Sequence, residues 1–215
     1  MKRSTITLLA VVALAVGAAQ PASSATKPVT KTYYFHGTND NGNQDQNPVN
    51  GDLMKMDATK PAGTSDKNFL LIGAAVTPNT KCAGSAVFPN WVGKAAGNIT
   101  GTMTVSFYAR STPSGTAVVQ VFADVLGQAC KADYPTAIGE ATVPITAGPT
   151  SVLHTVKIPV SGKGKVSGAI TVQIKPGSAG AGLVGPQASG IAYDSTTAPS
   201  SITFTCLPKA GKTTC

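Results

Sequence analysis

The sequence predicts an all-β fold, a two-sheet antiparallel β-sandwich of jelly-roll type. Three observations carry that expectation. After residue 28 the apolar positions recur with period two rather than 3.6. Turn residues punctuate the pattern, with 23 Gly and 15 Pro in 215 residues. No segment beyond the N-terminal stretch reads as an amphipathic helix, because Gly, Pro and β-branched residues interrupt every candidate.

Taken in order, the first strand is expected at Val29–His36 and the next at Phe69–Val76. Met103, Val105, Phe107 and Ala109 then alternate with Thr102, Thr104, Ser106 and Tyr108. Thr116–Leu126 and Ala141–Ile145 follow, and beyond them Val152, Val156 and Ile158 share one face with Thr155 and Lys157 on the other. Ile170, Val172 and Ile174 alternate with Ala169, Thr171 and Gln173. The last strands are Gly190–Asp194 and the run in which Ile202, Phe204 and Cys206 alternate with Ser201, Thr203 and Thr205. Each alternating run reads as a half-buried antiparallel strand with one wet face. Pro113-Ser114-Gly115, Ala147-Gly148-Pro149, Ser161-Gly162-Lys163-Gly164 and Pro176-Gly177 mark turns between them. About nine such strands pack as two sheets, with a barrel as the second architecture.

The first 25 residues stand apart. Lys2 and Arg3 precede an apolar run from Ile6 to Ala19, and Ser23-Ser24-Ala25 offers small residues for cleavage. This is the layout of a secretory signal peptide, and the run is shorter than the roughly 20 residues of a membrane span. The expected product is a single β-sandwich domain, 26–215, secreted or associated with the cell wall and free of the membrane after cleavage. Loss of Lys2 and Arg3, two basic residues, lowers the formal net charge from +8 to +6. The remaining basic residues are Lys apart from Arg110. A Lys-rich, Arg-poor exterior lacks the bidentate forks of nucleic-acid recognition and reads as a solubility device. Cys82, Cys130, Cys206 and Cys215 read as two disulfides in an exported chain, for which three connectivities exist. The favoured pairing is Cys82–Cys130 with Cys206–Cys215, the second closing a short loop through Pro208 and Gly211. Zinc is disfavoured, since no C-x-x-C occurs.

Catalytic signatures are sparse. No G-x-S-x-G elbow occurs, and paired cysteines leave no thiolate for a Cys–His nucleophile. His36 and His154 read as hydrogen-bonded structural histidines. A small glycan hydrolase would need two carboxyls about 5 to 9.5 Å apart. Asp124 and Asp194 are the candidates, and nothing in the sequence marks them as a pair. A sugar platform needs aromatic faces, and the candidates are Trp91, Tyr34, Tyr108 and Tyr134. A lone Trp in a sandwich is more often a core plug, and that is the other reading of Trp91. Tyr108 is sharper, because alternation places it on the polar face opposite Phe107.

Three segments carry a resemblance. They are Tyr33-Tyr34-Phe35-His36-Gly37, Cys82-Ala-Gly-Ser-Ala-Val-Phe88-Pro89-Asn90-Trp91-Val92-Gly93, and Tyr193-Asp194-Ser195-Thr-Thr-Ala-Pro199-Ser200-Ser201-Ile202-Thr203-Phe204. Their layout resembles the jelly-roll accessory domains at the C-terminal end of secreted bacterial hydrolases, including X-prolyl dipeptidyl-peptidase-like enzymes. The resemblance implies a non-catalytic domain, in a fold some of whose members bind carbohydrate or calcium. This sequence departs from the composite enzymes in carrying no catalytic α/β domain.

Asp40, Asp45, Asp52 and Asp194 are the candidate ligands for a structural Ca2+, which takes hard oxygen donors. The first three lie in an Asn/Asp/Gly-rich segment whose other reading is a solvated loop with local turns. The function expected is non-enzymatic binding of an extracellular polysaccharide or cell-wall glycan. The alternative is contact with a surface protein through an open edge strand or an exposed apolar patch.

Overall fold

Alternating apolar residues become strands throughout a computed structural model that describes residues 27–37, 54–70, 90–111, 114–124, 137–162, 164–176 and 190–215. The strands are β1 (Val29–His36), β2 (Met54–Asp57), β3 (Lys67–Leu70), β4 (Asn90–Lys94), β5 (Gly97–Ser111) and β6 (Gly115–Ala123). They continue with β7 (Gly139–Ile145), β8 (Gly148–Pro159), β9 (Lys165–Val166), β10 (Ala169–Pro176), β11 (Gly190–Tyr193) and β12 (Ser201–Pro208). The all-β expectation holds, and the described residues include no helix.

Hydrogen bonds link the strands in the order β3-β11-β5-β12-β1-β2-β4-β10-β6-β7. β8 and β9 also pair with β5. Among the described residues every pairing is antiparallel except one. β2 and β4 run parallel through Met54↔Trp91 and Lys55↔Val92, and this short contact joins the two layers into one continuous curled sheet.

The layers enclose a common core. Met103, Val105, Phe107, Ile158, Ile202 and Phe204 from one side meet Val119, Val121, Val143, Ile170, Val172 and Ile174 from the other. Where β7 faces β8 and β5, Gly139 of β7 is needed for space. A Cβ there would stand 2.6 Å from Ile158 Cγ2 and 2.8 Å from Met103 Cε. Near the β2–β4 junction, Trp91 stacks on Phe35 with ring centroids 4.5 Å apart and meets the edge of Tyr193 at 5.3 Å. Trp91 is 0% exposed. Its assignment as a surface ligand contact is therefore corrected: a ring closed off inside the core presents no face to a sugar.

Two other expectations change. On β10 the residues read as a wet face are buried, with Thr171 at 0% and Gln173 at 3% exposure. Both faces of that strand are out of water, so alternation there separates apolar from polar burial. On β8, Val156 and Ile158 enter the core as expected, but Val152 is 46% exposed. Among the described residues β8 pairs with β5 alone, and its N-terminal half runs along an edge the core does not cover.

Cys206 and Cys215 form a disulfide, as the spacing predicts. Cys82 and Cys130 lie outside the described residues, as do the N-terminal segment 1–25 and most of the strand expected at Phe69–Val76.

Two substitutions test this core. Trp91→Ala removes the largest buried side chain and is expected to cost about 3–5 kcal/mol, read as a lower urea midpoint at unchanged m-value. Replacing Cys206 and Cys215 together by Ser is expected to cost about 2.5 kcal/mol in the chain-entropy model for so short a loop. Thermal melts of the oxidised and doubly substituted chains check it.

Candidate functional site

Period-two alternation on β1, β12, β5 and β8 sends one set of side chains inward and the other to an outer face. Register aligns the outer set in rows. Thr32, Thr203, Thr104 and Lys157 form one row, and Tyr34, Ser201, Ser106 and Thr155 form the next. Hydroxyls of these rows and of the neighbouring Thr30–Thr205 pair bond across strands, Thr32 to Thr203 at 2.9 Å, Thr30 to Thr205 at 3.0 Å and Ser106 to Thr155 at 3.3 Å. Such pairs hold hydroxyls in fixed directions and leave lone pairs and protons for a ligand.

Tyr34 and Tyr108 both lie on this outer face, and both are half-buried. Tyr108 sits two strands away from Tyr34 and one row on, which places it about 10 Å across the sheet and about 7 Å along it. Exposed Leu153 stands opposite Tyr108 on β8. Tyr134 lies outside the described residues.

A second polar group closes the end of β1. His36 Nδ1 donates to Asp194 Oδ1 at 2.7 Å. Its Nε2 is 3.0 Å from the Thr59 carbonyl and 3.3 Å from Asp57 Oδ1. Both ring nitrogens face acceptors, so the imidazolium form alone donates to both. The Gly37 amide donates to Asp194 Oδ2 at 3.2 Å. Burial alone would push the Asp57 carboxyl up, but the Thr59 hydrogen bonds and the charges of His36 and Lys55 hold it below its ordinary value. Burial, with help from Asp194, pushes the Tyr193 phenol up to about 12. Beside this corner Ser195 and Thr197 donate to Asp66, and Ser195 Oγ accepts from the Ala198 amide at 2.8 Å.

This corner is a clamp between β1 and the segment after β11, and both Asp194 oxygens serve it. Among the described residues no three His, Cys, Asp or Glu side chains are grouped to hold a metal ion. Asp40, Asp45 and Asp52 lie outside the described residues.

Asp124 is committed elsewhere. It has φ 56° and its carboxylate accepts the amides of Ser167, Gly168 and Ala169 at 2.7–3.2 Å, fixing the turn between β9 and β10. Asp124 and Asp194 thus each bind a separate set of donors and share none. Of the two histidines, His36 is hydrogen-bonded as expected. His154 differs: its ring lies 5.6 Å from that of Phe107, its Nε2 is buried without a partner among the described residues, and burial holds its pKa down.

One polar set escaped the sequence reading. Asn90, Gln173, Gln120 and Glu140 stand side by side on β4, β10, β6 and β7, on the face turned away from the core, with buried Lys175 nearby. The alternation of Gln173 and Lys175 with Val172 and Ile174 on β10 marks their common face but not its burial.

No protein-family model matches the chain, and neither does any curated protein. Solved structures do. An aminopeptidase from a marine sediment archaeon (Thaumarchaeota archaeon) matches with TM-score 0.50 and 11% identity, over 82% of this chain and 37% of that one. An α-amino acid ester hydrolase matches with TM-score 0.51 and 12% identity, over 81% and 36%. A CocE/NonD family hydrolase from Staphylococcus aureus gives 0.49 and 9%, over 83% and 37%. The likeness is one of fold. It agrees with the resemblance carried by the segments at Tyr33, Cys82 and Tyr193, and the chain spans little more than a third of the length of these enzymes.

The Asp124 turn yields a pH prediction. Partial burial would raise this carboxyl, but the amides of Gly168, Ala169 and Ser167 bring it below its ordinary value. A depressed carboxyl contributes stability that is present above its unfolded value, about 3.9, and is lost as pH falls through the folded one. Asp124→Ala should cost about 1 kcal/mol at pH 7, the scale of a lost cap at an exposed position. Urea midpoints of the two chains should converge on acidification below about pH 4.

Proposed function

We propose that the chain is an exported, non-catalytic accessory β-domain that binds an extracellular polysaccharide or cell-wall glycan on its outer face. The observation that carries this reading is the placement of Tyr34 and Tyr108 on one face together with rows of cross-bonded Thr and Ser hydroxyls. Aromatic faces take sugar C–H groups, and fixed hydroxyls take sugar oxygens. Export is supported by the N-terminal segment and by the Cys206–Cys215 disulfide, a bond of oxidising compartments. The non-catalytic reading is supported by a fold match that extends over little more than a third of each hydrolase. A second reading, contact with a surface protein, is favoured by Leu153 at 54% and Val152 at 46% exposure on the open edge of β8.

Retention on insoluble peptidoglycan, chitin, cellulose and xylan tests the proposal, at low and high salt and with calcium or chelator. Binding to one of these glycans is expected to survive high salt. Tyr34→Ala and Tyr108→Ala should each weaken it about ten-fold, the loss of roughly 1.4 kcal/mol, without lowering thermal stability markedly. Loss with chelator would support a Ca2+ role for Asp40, Asp45, Asp52 and Asp194. Binding that vanishes at high salt is only Lys-driven attraction and would move the protein-contact reading to first place.

A further inference from the structure

The rows of the outer face run across the strands, and their spacing is set by the sheet. Tyr34, Ser201, Ser106 and Thr155 stand in register on β1, β12, β5 and β8, one residue per strand. Thr155 is exposed and the other three are half-buried, so the whole row meets solvent. Adjacent strands are roughly 4.8 Å apart, and the row therefore repeats a contact at that interval over about 14 Å. The row through Thr32, Thr203 and Thr104 lies two residues along each strand, about 7 Å away. Together the rows make a track with hydroxyls on both edges. Lys157, at the end of the second row, is their one charged side chain. Tyr34 stands on the first strand of the track, and Tyr108 flanks the third.

We propose that this track takes a single neutral β-1,4-linked glycan chain lying across the strands, one sugar ring to each strand. The inference rests on the outer-face glycan reading and gives it a linkage class and a direction. An extended β-1,4 chain advances per ring by close to the strand spacing of roughly 4.8 Å, so successive rings meet equivalent positions. A chain laid along one strand would meet outward side chains about 7 Å apart, out of step with its rings. An α-1,4 linkage coils the chain, and its rings leave the line of the row. The bonds from Thr32 to Thr203 and from Ser106 to Thr155 fix hydroxyls between neighbouring strands, hence between neighbouring rings. Adjacent strands turn by about 20–25° relative to one another, and a solitary chain follows that turn through its glycosidic torsions.

Calorimetric titration of the intact chain with cellohexaose, chitohexaose and xylohexaose, against maltohexaose, tests the linkage. The shorter oligosaccharides of the one that binds test the length. One β-1,4-linked hexasaccharide is expected to bind and maltohexaose is not. Affinity should rise at least about ten-fold, roughly 1.4 kcal/mol, from disaccharide to tetrasaccharide, where four rings meet four strands, and level off beyond. Ser201→Arg, in the track on β12, should abolish binding. Thr102→Arg, on β5 outside both rows, should leave it unchanged at an unchanged melting temperature, although it would obstruct a chain running along β5. The length series needs no variant, so a substitution that prevents folding leaves the test intact. Suppose the chain is retained on an insoluble glycan at high salt. Absent oligosaccharide binding, equal binding of maltohexaose, an affinity flat with length, binding that survives Ser201→Arg or loss in Thr102→Arg would each then overturn the crossing track alone. No retention and no oligosaccharide binding would overturn the outer-face reading with it.

Discussion

The stack of Phe35 on Trp91 is the contact on which the rest of the fold depends. Only two residue pairs join β2 to β4 by backbone hydrogen bonding, and they form the sole parallel step among the described strands. So short a ladder cannot hold two layers in place. The indole beside it does, by filling the junction between β1, β4 and β11 with ring area that no aliphatic side chain supplies. Gly93 belongs to the same arrangement: a Cβ there would meet Tyr33 and Met56 at under 3 Å. Once the junction is closed, the inward residues of both layers share one core and the outward residues of each are free to differ.

They do differ. The layer of β1, β12, β5 and β8 turns half-exposed hydroxyls and two tyrosines outward, whereas the layer of β4, β10, β6 and β7 keeps amides and Lys175 out of water. Burial holds the Lys175 ammonium below its ordinary pKa, although Glu140 favours the charged form. A strand sequence in which every second residue is polar therefore has two physical outcomes in one molecule. In one, water satisfies the polar groups, and in the other they are withdrawn from it.

That ambiguity sets the limit of what could be read from the chain. The strands of β1, β5, β6, β10 and β12 were legible, because long alternation has one structural solution. The Cys206–Cys215 pair was legible from its spacing, and Tyr108 from its phase with Phe107. β2, β4 and β9 were not, since runs of two to five residues carry too few periods. Trp91 had two readings, and the choice depended on Phe35, distant in sequence. The roles of Asp194 and Asp124 were hidden for a related reason. Each carboxylate is assigned by donors contributed from far along the chain, His36 and Gly37 in one case and Ser167 to Ala169 in the other.

The outer face is also not one uniform lattice. On β12 a single residue separates Thr203 from Thr205, but their partners on β5, Thr104 and Thr100, are separated by three. Gly101, at φ 75°, lies in the extra length. A bulge of this kind bends its strand and sharpens the local twist. The row through Thr30, Thr205 and Thr100 is thereby turned relative to the rows through Thr32 and Tyr34. A stiff, planar crystal facet can make close contact with one side of that break only. A single polymer chain with free torsions can follow the turn and touch both, so under the proposed glycan-binding reading the geometry would favour a conformable guest.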